Sequence, residues 1–204
     1  MADSKLWLSI HALIKPELTA VKGHLALWKN GVHHRDVSAS NLMYQDGAEN
    51  PVGILNDSDL AAITQGSRRK ERTGTVPFMA ISLLAEGQAG QIKHIYAYDA
   101  ESFVWVLIWV CACYDQGVLR RNPPLNAWLK VDARGCAEKK FYYLSYRSNA
   151  ITPGGGHEKN WLIAQACLDA LRRHGPFQTP DETCDGPFQK FLVGPCTASR
   201  QSDE

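Results

Sequence analysis

The sequence predicts a mainly helical α+β fold, and three patterns carry that prediction. Leu18, Val21, Leu25 and Trp28 recur at helical spacing, and Phe103 to Tyr114 is apolar on all faces, as a helix in the middle of a domain is. Glu158 to His174 reads as an amphipathic helix stopped by Gly175-Pro176. Between the first two helices lie short strand-like runs, Leu42-Met43-Tyr44 and Val52-Gly53-Ile54-Leu55, joined by the turn cluster Asp46 to Pro51.

At 204 residues the chain is one domain or slightly more. A chain of this length buries roughly two thirds of its unfolded surface. The net charge of +1 gives no global pull toward nucleic acid or an anionic membrane, so neither is expected as a partner. The six cysteines are scattered without a C-x-x-C pair, which fits reduced thiols in a cytoplasmic or nuclear protein better than a disulfide framework or a zinc site. Met1 to Pro16 carries Asp3, Lys5, His11 and Lys15 and no uninterrupted apolar stretch, so no signal peptide is expected. The longest apolar run, Phe103 to Tyr114, is too short to span a bilayer and is read as a core helix.

Taken in order, Leu6 to Lys29 reads as one or two helices, with Pro16 a break or a new first turn and Gly31 the stop. Trp7 and Trp28 are read as core. The chemistry begins at His33-His34-Arg35-Asp36. Asp36 precedes Asn41 by five residues, and a strand and a turn then deliver Asp57. Phosphoryl transfer from Mg-nucleotide asks for one group to take the acceptor hydroxyl's proton and for oxygen ligands to hold hard Mg²⁺.

On these residues the chain resembles a known family. His34-Arg35-Asp36 with Asn41 is similar to the protein-kinase catalytic loop H-R-D-x-x-x-x-N, and Asp57-Ser58-Asp59 stands where kinases carry D-F-G. Gly74 to Ser82 aligns without a gap to G-T-P-x-Y-x-A-P-E, and Tyr98 to Phe103 opens the apolar run as the central helix of the kinase large lobe does. The variants used resemble the fungal-specific protein kinase family most, over roughly residues 20 to 130.

The resemblance implies a protein-kinase-like C-terminal lobe with short β-hairpins at the catalytic loop, binding ATP and Mg²⁺. It implies Asp36 as catalytic base or orienting group and His34 as the residue that packs and holds the loop. Arg35 would brace the loop or pair with a phosphorylated activation segment. Asn41 and Asp57 would bind metal and nucleotide. Thr73 and Thr75 would belong to the activation and substrate segment, Thr75 touching Asp36, and Asp99 would hold the loop's backbone, a plain N-cap being the alternative. Ser38 replaces the usual lysine, and Ser58 and Asp59 replace Phe and Gly. Asp59 is read as an extra metal ligand or a helix cap. Ser82 replaces the glutamate of A-P-E, so the brace that glutamate makes is expected to be missing.

Residues 1–150 are read as the large lobe, 151–192 as its remaining helical base and 193–204 as a disordered tail. Thr152 to Gly156 is expected to be a flexible loop, not a phosphate loop, because no Lys-Ser/Thr follows the glycines. Neither G-x-G-x-x-G nor a V-A-I-K-like strand occurs, so the N-terminal lobe is expected to be missing. Three functions follow: a serine/threonine kinase-type phosphotransferase acting on a protein substrate; a pseudokinase module whose exposed small-lobe face a protein partner covers; and a small-molecule phosphotransferase of the aminoglycoside or choline kind, against which Arg35 and Gly74 to Met79 argue.

Overall fold

The computed structural model describes residues 14–45, 52–59, 61–63, 74–85, 94–147 and 150–174. The fold is mainly helical with short antiparallel strand pairs, as the sequence predicts. Helix α1 (Ile14–Lys29) begins with Pro16 in its first turn, where the missing N–H is no loss. It ends at Gly31, whose φ of 80° is the left-handed stop expected there.

Strands β1 (Val32–His33) and β4 (Ala62–Ile63) pair antiparallel, and β2 (Leu42–Gln45) pairs with β3 (Val52–Leu55) in the register Leu42↔Leu55 and Met43↔Ile54. These two ladders fold residues 32–63 back on themselves, and α1 packs on β3. A one-turn helix α2 (Ile81–Ala85) leads toward the central helix α3 (Tyr96–Cys113), after which β5 (Tyr114–Asp115) and β6 (Val118–Leu119) form a tight hairpin. A 3₁₀ turn (Asn126–Lys130), helix α4 (Ala133–Tyr142) with a wider π-type turn at its end, and helix α5 (Glu158–His174) complete the described chain.

The all-round apolar character of α3 places it at the centre: every residue from Tyr96 to Cys113 except Ala97 is buried. Length and composition alone would let α3 cross a membrane, but 94% of it is enclosed by the rest of the fold. Trp105 and Trp128 meet edge to face at 5.6 Å, and Phe78 and Trp109 at 5.7 Å. Each such side chain stabilises by roughly 1.5–3 kcal/mol through burial, with a further contribution from the ring geometry. Cys111, Cys113, Cys136 and Cys167 are buried. Burial pushes the Cys113 thiol up to about 11, which keeps it protonated and inert near neutral pH.

The Thr152–Gly156 segment, read from the sequence as a flexible loop, is tied to the end of α3 and to β5–β6. Gly154 is buried and donates its N–H to the Cys111 carbonyl at 2.8 Å, while Gln116 N–H is donated to the Gly155 carbonyl at 3.3 Å. A methyl group on Gly154 would sit 1.8 Å from the Tyr114 carbonyl oxygen, so the glycine is needed for close backbone approach. Gly154→Ala is therefore expected to destabilise by about 3 kcal/mol or more. Gly23→Ala, on α1 with nothing within 4 Å, should stabilise by about 0.5–1 kcal/mol. Urea midpoints of the two variants against the parent chain check both signs.

Candidate functional site

The catalytic-loop residues converge because two ladders close the loop between them. His33 in β1 stacks on Trp28 with ring centroids 3.6 Å apart and planes 9° off parallel, which turns the neighbouring His34 inward. His34 is 3% exposed. Its Nδ1 accepts the Asp36 backbone N–H at 3.4 Å, so the other ring nitrogen carries the proton and Nε2–H is donated to the Asn56 carbonyl at 3.0 Å. Asn56 N–H in turn is donated to the Asn41 carbonyl at 2.7 Å. One imidazole and one backbone bond thus fix the Asp57 turn against the Asp36 loop. Ser38 is fully buried, its hydroxyl 2.9 Å from that of Ser40.

The Asp36 carboxylate is held on both oxygens. Its Oδ1 accepts the Thr75 backbone N–H at 2.8 Å and the Thr75 hydroxyl at 2.9 Å; its Oδ2 accepts Asn41 Nδ2–H at 3.1 Å. The same Asn41 amide is donated to the Asp36 backbone carbonyl at 3.0 Å, while Asn41 Oδ1, on the other side, accepts the Ser40 hydroxyl at 3.4 Å. Gly74 makes the approach of Thr75 feasible: with φ 129°, a Cβ there would stand 3.1 Å from the Arg35 carbonyl. The expected contact between Thr75 and Asp36 is present. Thr73, by contrast, lies outside the described residues.

Asp57 is exposed and has φ 62°, and Arg35 has φ 69°. Positive φ in a residue with a side chain costs roughly 1–3 kcal/mol and persists where the surroundings over-determine it, most often at functional sites. Two of the three such residues among those described are candidates of the sequence reading. Asp59 is exposed and its N–H reaches Asp57 Oδ1 at 3.4 Å. It does not cap a helix, because the chain continues into β4.

Asp99 is placed differently from a helix cap. It lies one turn inside α3, whose N-cap is Ile95, and it is 2% exposed. Its Oδ2 takes His24 Nε2 at 2.9 Å and the Arg35 backbone N–H at 3.4 Å, while Oδ1 takes His94 Nε2 at 2.8 Å. The plain N-cap reading is corrected, and the reach to the catalytic loop is seen. Burial would raise this carboxyl, but the His94 charge and the hydrogen bonds from both histidines outweigh it and hold Asp99 well below the usual carboxylate range. Neither histidine was singled out by sequence reasoning; they lie 75 and 5 residues from Asp99, and no local motif joins them.

At Ser82, where the glutamate of A-P-E and its brace were expected to be missing, the segment has a different support. Ser82 is buried, and a different carboxylate, Glu101 of α3, supports the segment by accepting the Ile81 N–H at 2.8 Å.

As chemistry, the site offers a carboxylate oriented by N–H and O–H donors, with an amide oxygen and an exposed carboxylate on neighbouring turns. Among the described residues no three His, Cys, Asp or Glu side chains cluster as a self-sufficient metal cage. A family model described as fungal protein kinase matches residues 8–111, just over half of the chain and the whole of this site. No curated protein matches the chain. With motif, geometry and family match on the same residues, this chain belongs to the fungal protein kinase family.

Proposed function

We propose that the chain is the large lobe of a serine/threonine protein kinase-type phosphotransferase, moving the γ-phosphate of ATP to a protein hydroxyl. The observation that carries the reading is the Asp36 carboxylate, gripped by the Thr75 N–H, the Thr75 hydroxyl and the Asn41 amide. A carboxylate so fixed is oriented before substrate arrives, which is what positioning catalysis requires. In the proposed step the acceptor oxygen bonds to the γ-phosphorus as the bond to the β,γ-bridging oxygen breaks. ADP leaves, and the hydroxyl proton passes to Asp36.

Asn41 and Asp57 fit a magnesium ion, because Mg²⁺ is bound through one or two protein oxygens plus nucleotide phosphates and water rather than in an all-protein cage. Mg²⁺ would neutralise charge on the β- and γ-phosphates. Asp57, exposed on its strained turn, would supply a carboxylate oxygen to it. Arg35 would brace the loop or pair with a phosphate added in the activation segment. Ser/Thr selectivity is supported by Thr75, whose hydroxyl already occupies the ground beside Asp36.

The test is transfer of labelled γ-phosphate to Ser/Thr acceptor peptides by the native protein. Asp57→Ala is expected to reduce transfer at least about 100-fold with an unchanged circular dichroism spectrum. Undiminished transfer in that variant would remove Asp57 from the metal site.

A second reading, a partner-binding module, is favoured by one feature. Met43, Val52 and Ile54 are each 40–44% exposed on the β2–β3 hairpin, an apolar surface that a protein partner would cover. Transfer absent under all Mg-ATP conditions, with retained fold, would favour it.

A further inference from the structure

The segment that grips Asp36 is itself anchored at its far end by two buried ionisable side chains. Ile81 N–H is donated to Glu101 Oε1 at 2.8 Å, and the same oxygen accepts Trp105 Nε1–H at 2.8 Å. Two residues earlier, the Met79 carbonyl accepts from Lys140 Nζ at 2.6 Å. Lys140 comes from α4, is 0% exposed, and sits over the rings of Trp105 at 4.8 Å and Trp128 at 5.6 Å. Burial draws the Lys140 ammonium below its ordinary range, opposed by the neighbouring Cys136 and Glu101, and pushes Glu101 up, opposed first by the hydrogen bonds from Ile81 and Trp105 and then by Lys140.

Between the anchor and Thr75 the chain has little slack. Phe78 N–H is donated to the Thr75 carbonyl at 2.8 Å, and Met79 N–H to the same oxygen at 3.2 Å. Cys136 Sγ on α4 reaches the Val76 carbonyl at 3.8 Å. A shift at Met79 or Ile81 is therefore passed through one hydrogen-bonded turn to Thr75 and so to Asp36. Buried charges are a poor source of stability compared with apolar residues of the same volume. What these two supply is directional: bonds to backbone atoms of one short segment, from two different helices.

We infer that Glu101 and Lys140 are positioning residues that set the register of Thr75 on Asp36, and with it the place of the acceptor hydroxyl. The bracing stands on the contacts alone. Its consequence for the acceptor rests on the phosphotransfer reading. Lys140 acts on Met79 from α4 and Glu101 acts on Ile81 from α3, so the two fix one segment against both helices.

The test is amide hydrogen exchange on the full 204-residue chain, with transfer kinetics beside it. In Lys140→Met the Thr75 and Ile81 amides should exchange at least about tenfold faster while amides of α5 keep their protection. Lys140→Arg should return most of the protection. In transfer assays Lys140→Met should raise KM for the acceptor peptide and leave KM for ATP within about twofold. Unchanged Thr75 protection in a folded Lys140→Met chain, or uniform acceleration across all amides, would overturn the inference. Should that variant fail to fold, Glu101→Met, which removes the acceptor of the Ile81 N–H at similar volume, should likewise speed exchange of the Thr75 and Ile81 amides, and unchanged protection there would overturn the inference. If the parent chain transfers no phosphate, the phosphotransfer reading fails, and the exchange data still decide the brace.

Discussion

Asp36→Asn is expected to lower kcat about 100- to 10,000-fold, the range for losing a positioned proton acceptor. The substitution is nearly isosteric, and the Asn oxygen can still accept both Thr75 donors. The amide nitrogen it introduces faces Asn41 Nδ2, a donor meeting a donor, so the 3.1 Å bond is lost. Asn41 keeps its second tie, to the Asp36 backbone carbonyl at 3.0 Å, and so keeps its place at the proposed metal position. KM for ATP should therefore move by no more than about twofold, separating an acceptor-side role from nucleotide binding. Steady-state transfer at saturating and limiting ATP makes that separation. A large rise in KM for ATP with kcat unchanged would contradict the assignment of Asp36 to the acceptor.

Asp99→Asn is expected to cost about 3 kcal/mol of stability at neutral pH, because it removes the charge from a buried site shared by two histidines and a backbone N–H. The carboxyl is held below its ordinary value of 3.8 in the folded chain, so its contribution is complete above that value and is lost as pH falls through the lower folded pKa. The advantage of the parent chain over Asp99→Asn should thus be largest near pH 7 and shrink as the pH drops below about 4. Urea unfolding of both chains across this range measures it. A stability difference that stayed constant or grew toward acid would mean the Asp99 charge is not what holds His24, His94 and Arg35 together.

Legibility in the sequence followed how local each feature is. The β2–β3 hairpin was readable because a turn cluster sits between two short apolar runs in the sequence, and α5 because its apolar positions repeat and Gly-Pro follows them in the sequence. Asp36, Asn41 and Asp57 were readable because five residues and one hairpin bring them together. The features that were not readable depend on helix packing. His24 meets Asp99 across 75 positions, and Lys140 meets Met79 across 61. In sequence Lys140 is one of two adjacent lysines in a charged stretch, and only the crossing of α4 behind α2 decides which is buried. Glu101 left a fainter signal: a lone acid two residues past Asp99 at the start of an otherwise apolar helix. Thr152 to Gly156 read only as a flexible loop because the close approach of Gly154 to the Tyr114 backbone has no local signature.

In the proposed site Asn41 and Asp57 would hold a metal-bound nucleotide beside Asp36, and paramagnetic broadening tests this without requiring turnover. Mn²⁺ with ATP, titrated into the ¹⁵N-labelled chain, should broaden the amide signals of Asn41 and Asp57 first and leave those of α5 sharp, and Asp57→Ala should abolish the effect. Broadening centred elsewhere, or identical in Asp57→Ala, would contradict the placement of the metal and the phosphotransfer reading built on it.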